Sequence, residues 1–179
     1  MHAKQWVGTL GADAPLVHPD AWVAPGAVVV GRVTLGRASS VWYGSVLRAD
    51  DDEIVVGAEC NIQDLCCLHV DQGEPAVLED RVSLGHHATV HGAYIETGAL
   101  VGIGAIVLGR ARVGAGTLVA AGSVVLPGSR LPADVLVAGV PCRVIRDLTD
   151  ADRQSFAQTA AHYVQRAGRH RDATWAEPG

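Results

Sequence analysis

Aliphatic side chains recur along this chain every six residues, a period that belongs neither to an α-helix nor to an alternating hairpin sheet. The series runs Val23, Val29, Leu35, Val41, Leu47, resumes at Val56, Ile62, Leu68 and again at Leu78, Leu84, Val90. It closes with Ile95, Val101, Val107, Val113, Val119, Val125, Leu131 and Val137 in unbroken phase. The fourth residue after each is usually small or β-branched, as at Ala27, Val33, Ser39, Ser45, Cys60, Cys66, Ala88, Ala99, Ala105, Ala111, Thr117 and Ser123. Glycine often follows the aliphatic residue directly, at Gly36, Gly57, Gly85, Gly102 and Gly114. Short strands joined by tight bends and wound into a parallel solenoid satisfy this pattern. The aliphatic residue points inward, the small residue fits near the corner, and glycine relieves the backbone where it bends. Three units per coil give about six coils.

The period stops before Leu148, and a helical one replaces it. Thr149 and Asp152 form a capping-box pattern, and Phe156, Ala160, Val164 and Ala167 follow at helical spacing. A solenoid buries each coil only against its neighbours, so its ends need covering. The predicted organisation is a solenoid over 1–147, a C-terminal helix packed on it over 148–172, and a flexible tail over 173–179.

Composition agrees with a narrow core. Among 179 residues there are 21 glycines but only eight Phe, Trp and Tyr together, while hydrophobic content still reaches 49%. No apolar run approaches the ~20 residues that span a bilayer. Met1 to Leu10 lacks the basic and apolar regions of a secretory signal. A net charge of −5 without a Lys/Arg cluster argues against nucleic-acid binding. Cys60, Cys66, Cys67 and Cys142 form no CxxC pair and no disulfide scaffold, which points to the cytoplasm.

Four of the eight histidines, His69, His86, His87 and His91, lie within 23 residues. Their placement on the coils follows from the register. The connection from Leu47 to Val56 carries three extra residues, that from Leu68 to Leu78 four extra, and that from Val90 to Ile95 one fewer. With these as local irregularities, Leu47, Leu68 and Val90 stack on one face of consecutive coils at ~4.8 Å spacing. Arg48, His69 and His91 then form one outward column. His69 and His91 become neighbours close enough to share a metal at ~2.0–2.1 Å per bond. His86 falls on another face, near Asp64 and Tyr43, and meets the pair only if a neighbouring subunit supplies it, as a closed trimer would. Three neutral imidazoles leave a position for water, whose pKa a divalent ion lowers toward ~7. His87 faces elsewhere and is a bystander or supporting group.

The run Arg48-Ala49-Asp50, then Asn61-Ile62-Gln63-Asp64, Leu68-His69-Val70 and Gly85-His86-His87-Ala88-Thr89-Val90-His91-Gly92 resembles the gamma-class carbonic anhydrase family, over roughly residues 12–165. The resemblance implies an all-β fold, a left-handed parallel β-helix of hexapeptide repeats with a C-terminal α-helix. It also implies a homotrimer with metal at subunit interfaces, His69 and His91 coming from one subunit and His86 from the next. Zn2+ is the implied ion, with iron or cobalt as alternatives, and the implied reaction is carbonate dehydratase (lyase) chemistry, reversible hydration of CO2 to bicarbonate. Arg48 and Asp64 match positions that form ion pairs near the site. Gln63 matches a residue that contacts bound water or bicarbonate, and Asp50 an acidic position nearby; Tyr163 matches a helical position beside the pocket. The connection after His69 is short, Val70 to Val77, with Gln72 where a longer acidic loop of the family carries its proton-shuttling glutamate. Asp71, Glu74, Asp51 and His87 are the groups left for proton transfer, which fast hydration requires.

Two other readings stand beside this one. Hexapeptide-repeat acyltransferases share the solenoid, and Ala138-Gly139-Val140-Pro141-Cys142-Arg143-Val144-Ile145-Arg146 resembles their last coil, so an acyl- or CoA-handling enzyme is one alternative. A non-catalytic, metal-binding trimer is the other.

Overall fold

The computed structural model describes residues 6–174. The aliphatic rows form the inside of a left-handed parallel β-helix of about seven coils, one more than the repeat count suggests. Each coil has three faces. On the first face Trp22–Val23, Ser40–Val41, Asn61–Ile62, Ser83–Leu84, Leu100–Val101, Leu118–Val119 and Val135–Gly139 stack in register. The second face stacks Cys67–His69, Thr89–His91, Ile106–Val107 and Val124–Val125 onto the first halves of two long strands, Val28–Leu35 and Val46–Val56. The second halves of those strands turn onto the third face, which continues through Ala76–Leu78, Tyr94–Ile95, Arg112–Val113 and Arg130–Leu131.

The core follows the six-residue arithmetic closely. Val29, Val41, Leu47, Ile62, Leu68, Leu84, Val90, Ile95, Val101, Val107, Val113, Val119, Val125 and Val137 are completely buried, and so are or nearly so the small corner residues Ala27, Ser45, Cys66, Ala88, Ala105 and Thr117. Leu131, near the end, is only half-buried. Burial, reinforced by the charge of Asp80 at Cys60 and of Asp64 at Cys66, holds both thiols in the neutral form, with pKa pushed up to about 12. The glycines that follow the aliphatic residues have a different cause from the one expected. A Cβ at Gly85 would lie 2.7 Å from the backbone nitrogen of Ile103, and one at Gly36 would lie 2.6 Å from the carbonyl carbon of Gly57. They are required by the approach of one coil to the next. The left-handed backbone of the bend falls two residues later, where Ala38, His87 and Arg110 also adopt it.

The one helix among the described residues, α1 (Asp150–Arg171), begins with the expected capping box. Thr149 Oγ1 accepts from the Asp152 backbone N–H, and Asp152 accepts from that of Thr149. The helix does not cap an end. It runs back along the first face, from Asp134, which Arg153 meets at 3.3 Å, to the carbonyls of Asp20 and Ala21, bound by Arg171. Twenty-two residues make a helix of ~33 Å, and the six steps between seven coils come to ~29 Å, so one helix spans the solenoid. Its buried stripe is Ala160, Tyr163 and Ala167, against Trp22 and Trp42, while Phe156 and Val164 are half-buried at its sides. The C-terminal end of the solenoid is closed instead by Cys142–Asp147, which pairs antiparallel with Val135–Gly139. From 175 onward the tail expected to be flexible lies outside the described residues.

Candidate metal centre

The two insertions read from the sequence lie side by side where the second face turns into the third. The first sits in the strand Val46–Val56, where the pairing skips from Gly31–Ala49 to Val33–Ile54 and leaves Asp50 to Glu53 as a bulge. The second is a tight turn in which Glu74 N–H donates to the carbonyl of Asp71 at 2.9 Å. Asp52 of the first insertion accepts from the Gly73 N–H of the second at 2.8 Å, which ties the two bulges together. The histidine column ends at this corner.

Register places Arg48, His69 and His91 directly over one another on three successive coils. Nδ1 of His69 lies 3.1 Å from Nε2 of His91, with ring centroids 5.1 Å apart. The other nitrogen of His69, Nε2, is 2.9 Å from Oδ1 of Asp50, and the second oxygen of Asp50 pairs with Arg48. Desolvation raises the Asp50 carboxyl, but hydrogen bonds from His69, from its own backbone and from Arg48 outweigh it and hold its pKa below the usual range. A carboxylate on the far nitrogen is what orients a metal-binding imidazole and selects its tautomer. Here it leaves Nδ1 of His69 directed at His91.

Two nitrogens bound to one tetrahedral ion at ~2.0–2.1 Å stand ~3.3 Å apart. The 3.1 Å between these rings matches that separation closely, so the pair fits a divalent ion. His69 is the more enclosed, its side chain 17% exposed against 32% for His91.

The remaining expected residues gather at a different corner, between the first and second faces. Nδ1 of His86 lies 2.8 Å from Asp64 Oδ2, so its Nε2 is the nitrogen left over. His86 lines a cleft with Trp42, Tyr43, Asp64, Tyr163, Arg166 and His170. Gln63 is buried beside it in a ladder: its Nε2 donates to Asn61 Oδ1 at 3.0 Å, and Asn61 Nδ2 donates to Ser83 Oγ at 2.7 Å. With one amide N–H committed to Asn61, Gln63 keeps its carbonyl oxygen as an acceptor beside a second N–H. His87 turns outward in a left-handed conformation, with its N–H on the Asp64 carbonyl.

Six of the seven expected residues thus divide into Arg48, Asp50, His69 and His91 at one corner against Gln63 and Asp64 at another, and His86 joins the second group. Sequence reasoning missed His170. It accepts or donates at 2.8 Å with the Tyr43 hydroxyl and packs on Trp42 at 4.9 Å. The signal was available, because His170 follows Tyr163 by seven residues and so shares its helical face. Burial, then the charge of Asp64, raises the Tyr43 phenol; burial also raises that of Tyr163.

No protein-family model matches the chain. A protein of Methanocaldococcus jannaschii named a probable carbonic anhydrase is 46% identical over 150 residues, 84% of this chain and 94% of that one. Gamma carbonic anhydrase 1 of Arabidopsis thaliana mitochondria is 39% identical over 88% of this chain, which spans only 59% of the length of that relative. Among solved structures, a hexapeptide transferase family protein from Anaplasma phagocytophilum superposes with a TM-score of 0.89 at 32% identity, over 92% of this chain and 98% of its own.

Proposed function

The chain belongs to the gamma-class carbonic anhydrase family, and from that premise we propose that it interconverts CO2 and bicarbonate at a divalent metal centre completed between copies of itself. The observation that carries this reading is the 3.1 Å approach of His69 Nδ1 to His91 Nε2, with Asp50 on the far side of His69. His69 and His91 hold the ion from one chain and His86 from the next. When bound, such an ion supplies Lewis acidity that makes water a nucleophile near neutral pH. Zinc is the ion we favour, and iron or cobalt suits the same imidazoles.

The chain's own groups then have separate tasks. Asp50, neutralised by Arg48, fixes the tautomer of His69, and Asp64 does the same for His86 from its Nδ1 side. The free carbonyl of Gln63 accepts a hydrogen bond from a proton-bearing oxygen and so orients water or bicarbonate. The outer rows of the second face support assembly as a homotrimer, since Val28, Val46, Ile106 and Val124 are only half-buried in the single chain. A cytoplasmic setting accords with four free cysteines.

The test is metal analysis of anaerobically purified protein, with CO2 hydration measured on the same sample. One ion per chain and hydration lost in His91→Ala support the reading. Metal without hydration turns it into a metal-holding trimer. The relation to hexapeptide transferases makes a thioester substrate the second reading, and calorimetric binding of CoA would favour it.

A further inference from the structure

We propose that Asp71 is a metal ligand, so that one chain carries a two-histidine, one-carboxylate set, His69, His91 and Asp71, to which the neighbour's His86 would add a fourth donor, water then taking a fifth position. The inference rests on the reading of His69 and His91 as ligands.

Ligand atoms of these three residues all lie within 4.8 Å of one another. Asp71 Oδ2 is 3.8 Å from His91 Nε2, and that nitrogen is 3.1 Å from His69 Nδ1. Donors around a four-coordinate ion at ~2.0–2.2 Å stand ~3.3–3.6 Å apart, so these separations bracket the required spacing. The carboxylate is also free for the task. Asp50 is taken by Arg48 and His69, and Asp64 by His86, whereas among the described residues the one basic side chain within 4 Å of the Asp71 carboxylate is His91 itself.

The turn that carries Asp71 is anchored on both sides. Gly73 is held by Asp52 of the preceding coil at 2.8 Å, and Glu74 by Arg110 two coils further on at 3.2 Å. Glu74 lies flat there because Gly92 and Gly109 present no side chain; a Cβ at Gly109 would come within 2.3 Å of Glu74 Oε2. The short connection after His69 therefore does more than remove a loop. It brings a carboxylate to the open side of the histidine pair. Two imidazoles and a carboxylate suit Zn2+, Fe2+ or Co2+.

The test is Co2+ titration of the full-length, metal-free protein, followed by visible absorption and by metal stoichiometry. Asp71→Asn keeps the shape of the side chain and leaves the backbone turn intact. We expect His86→Ala to retain one Co2+ per chain, Asp71→Asn to weaken binding at least ~10-fold with a changed visible spectrum, and the double variant to weaken it further. Unchanged affinity and spectrum in Asp71→Asn, in both the parent and the His86→Ala background, would overturn the proposal. His69→Ala and His91→Ala separate this from the wider reading. If they lose Co2+ while Asp71→Asn does not, only the role of Asp71 falls; if they also leave binding unchanged, the metal centre falls with it.

Discussion

Nε2 of His69 and Oδ1 of Asp50 are 2.9 Å apart, and this one contact decides which ring nitrogen faces His91. Asp50→Asn keeps the volume but removes the charge that favours a proton on Nε2. Metal affinity is expected to fall ~10–100-fold, read by competition with a chromogenic chelator. The urea midpoint of the metal-free protein should hardly move, because a half-exposed ion pair contributes roughly 0–1 kcal/mol. Undiminished affinity would remove Asp50 from the centre.

Gly31 faces the bulge from the neighbouring coil. Its backbone is left-handed, with φ +83°, and a Cβ there would lie 2.0 Å from the carbonyl oxygen of Ala49. Gly31→Ala is expected to cost well over ~2 kcal/mol in urea unfolding, since backbone on both sides must move. Gly128→Ala is the control: its φ of +69° is strained but its Cβ meets open space. It should cost only ~1–2 kcal/mol.

Acid should loosen the fold through particular carboxylates. Glu79 accepts hydrogen bonds from Tyr94 and from the hydroxyl and N–H of Thr97, and Asp152 accepts from Arg146 and Thr149; both are held below their ordinary values. A depressed folded-state value stabilises the protein above the unfolded value, near pH 4, and that contribution is lost as pH falls through the folded one. Urea midpoints measured from pH 7 to pH 3 should therefore drop, and less steeply in Glu79→Gln and Asp152→Asn. Parallel slopes for parent and variants would locate acid sensitivity elsewhere.

The second face offers a direct test of assembly. Ile106 is outward and half-buried, one coil beyond Thr89. Ile106→Glu places a charge in the middle of that surface and is expected to convert the proposed trimer to monomer in sedimentation velocity. An unaltered sedimentation coefficient would mean that copies meet through another face.

What the sequence made legible, and what it did not, follows from how local each signal is. The buried rows repeat every six residues, so Leu68 and Val90 are assigned inward, and His69 and His91 outward, by arithmetic alone. The separation of His86 from that pair follows from the same count. The path of α1 does not, because spacing at Phe156, Ala160, Val164 and Ala167 marks a buried side without saying what it lies on. Ala160 and Ala167 are buried as expected, but the side is centred on Tyr163 and turned toward the tryptophans of the first face. The clasp between Asp52 and Gly73 was likewise invisible. It joins two irregular insertions 21 residues apart, and irregular backbone carries no period from which to predict contact.

The division of the histidines between two corners has a genetic consequence. A chain lacking His91 still offers His86 to a neighbour, and a chain lacking His86 still offers His69 and His91. Under the proposed sharing between copies, two defective alleles expressed together would therefore complement, since mixed assemblies contain junctions where both intact halves meet. Each allele alone would give none.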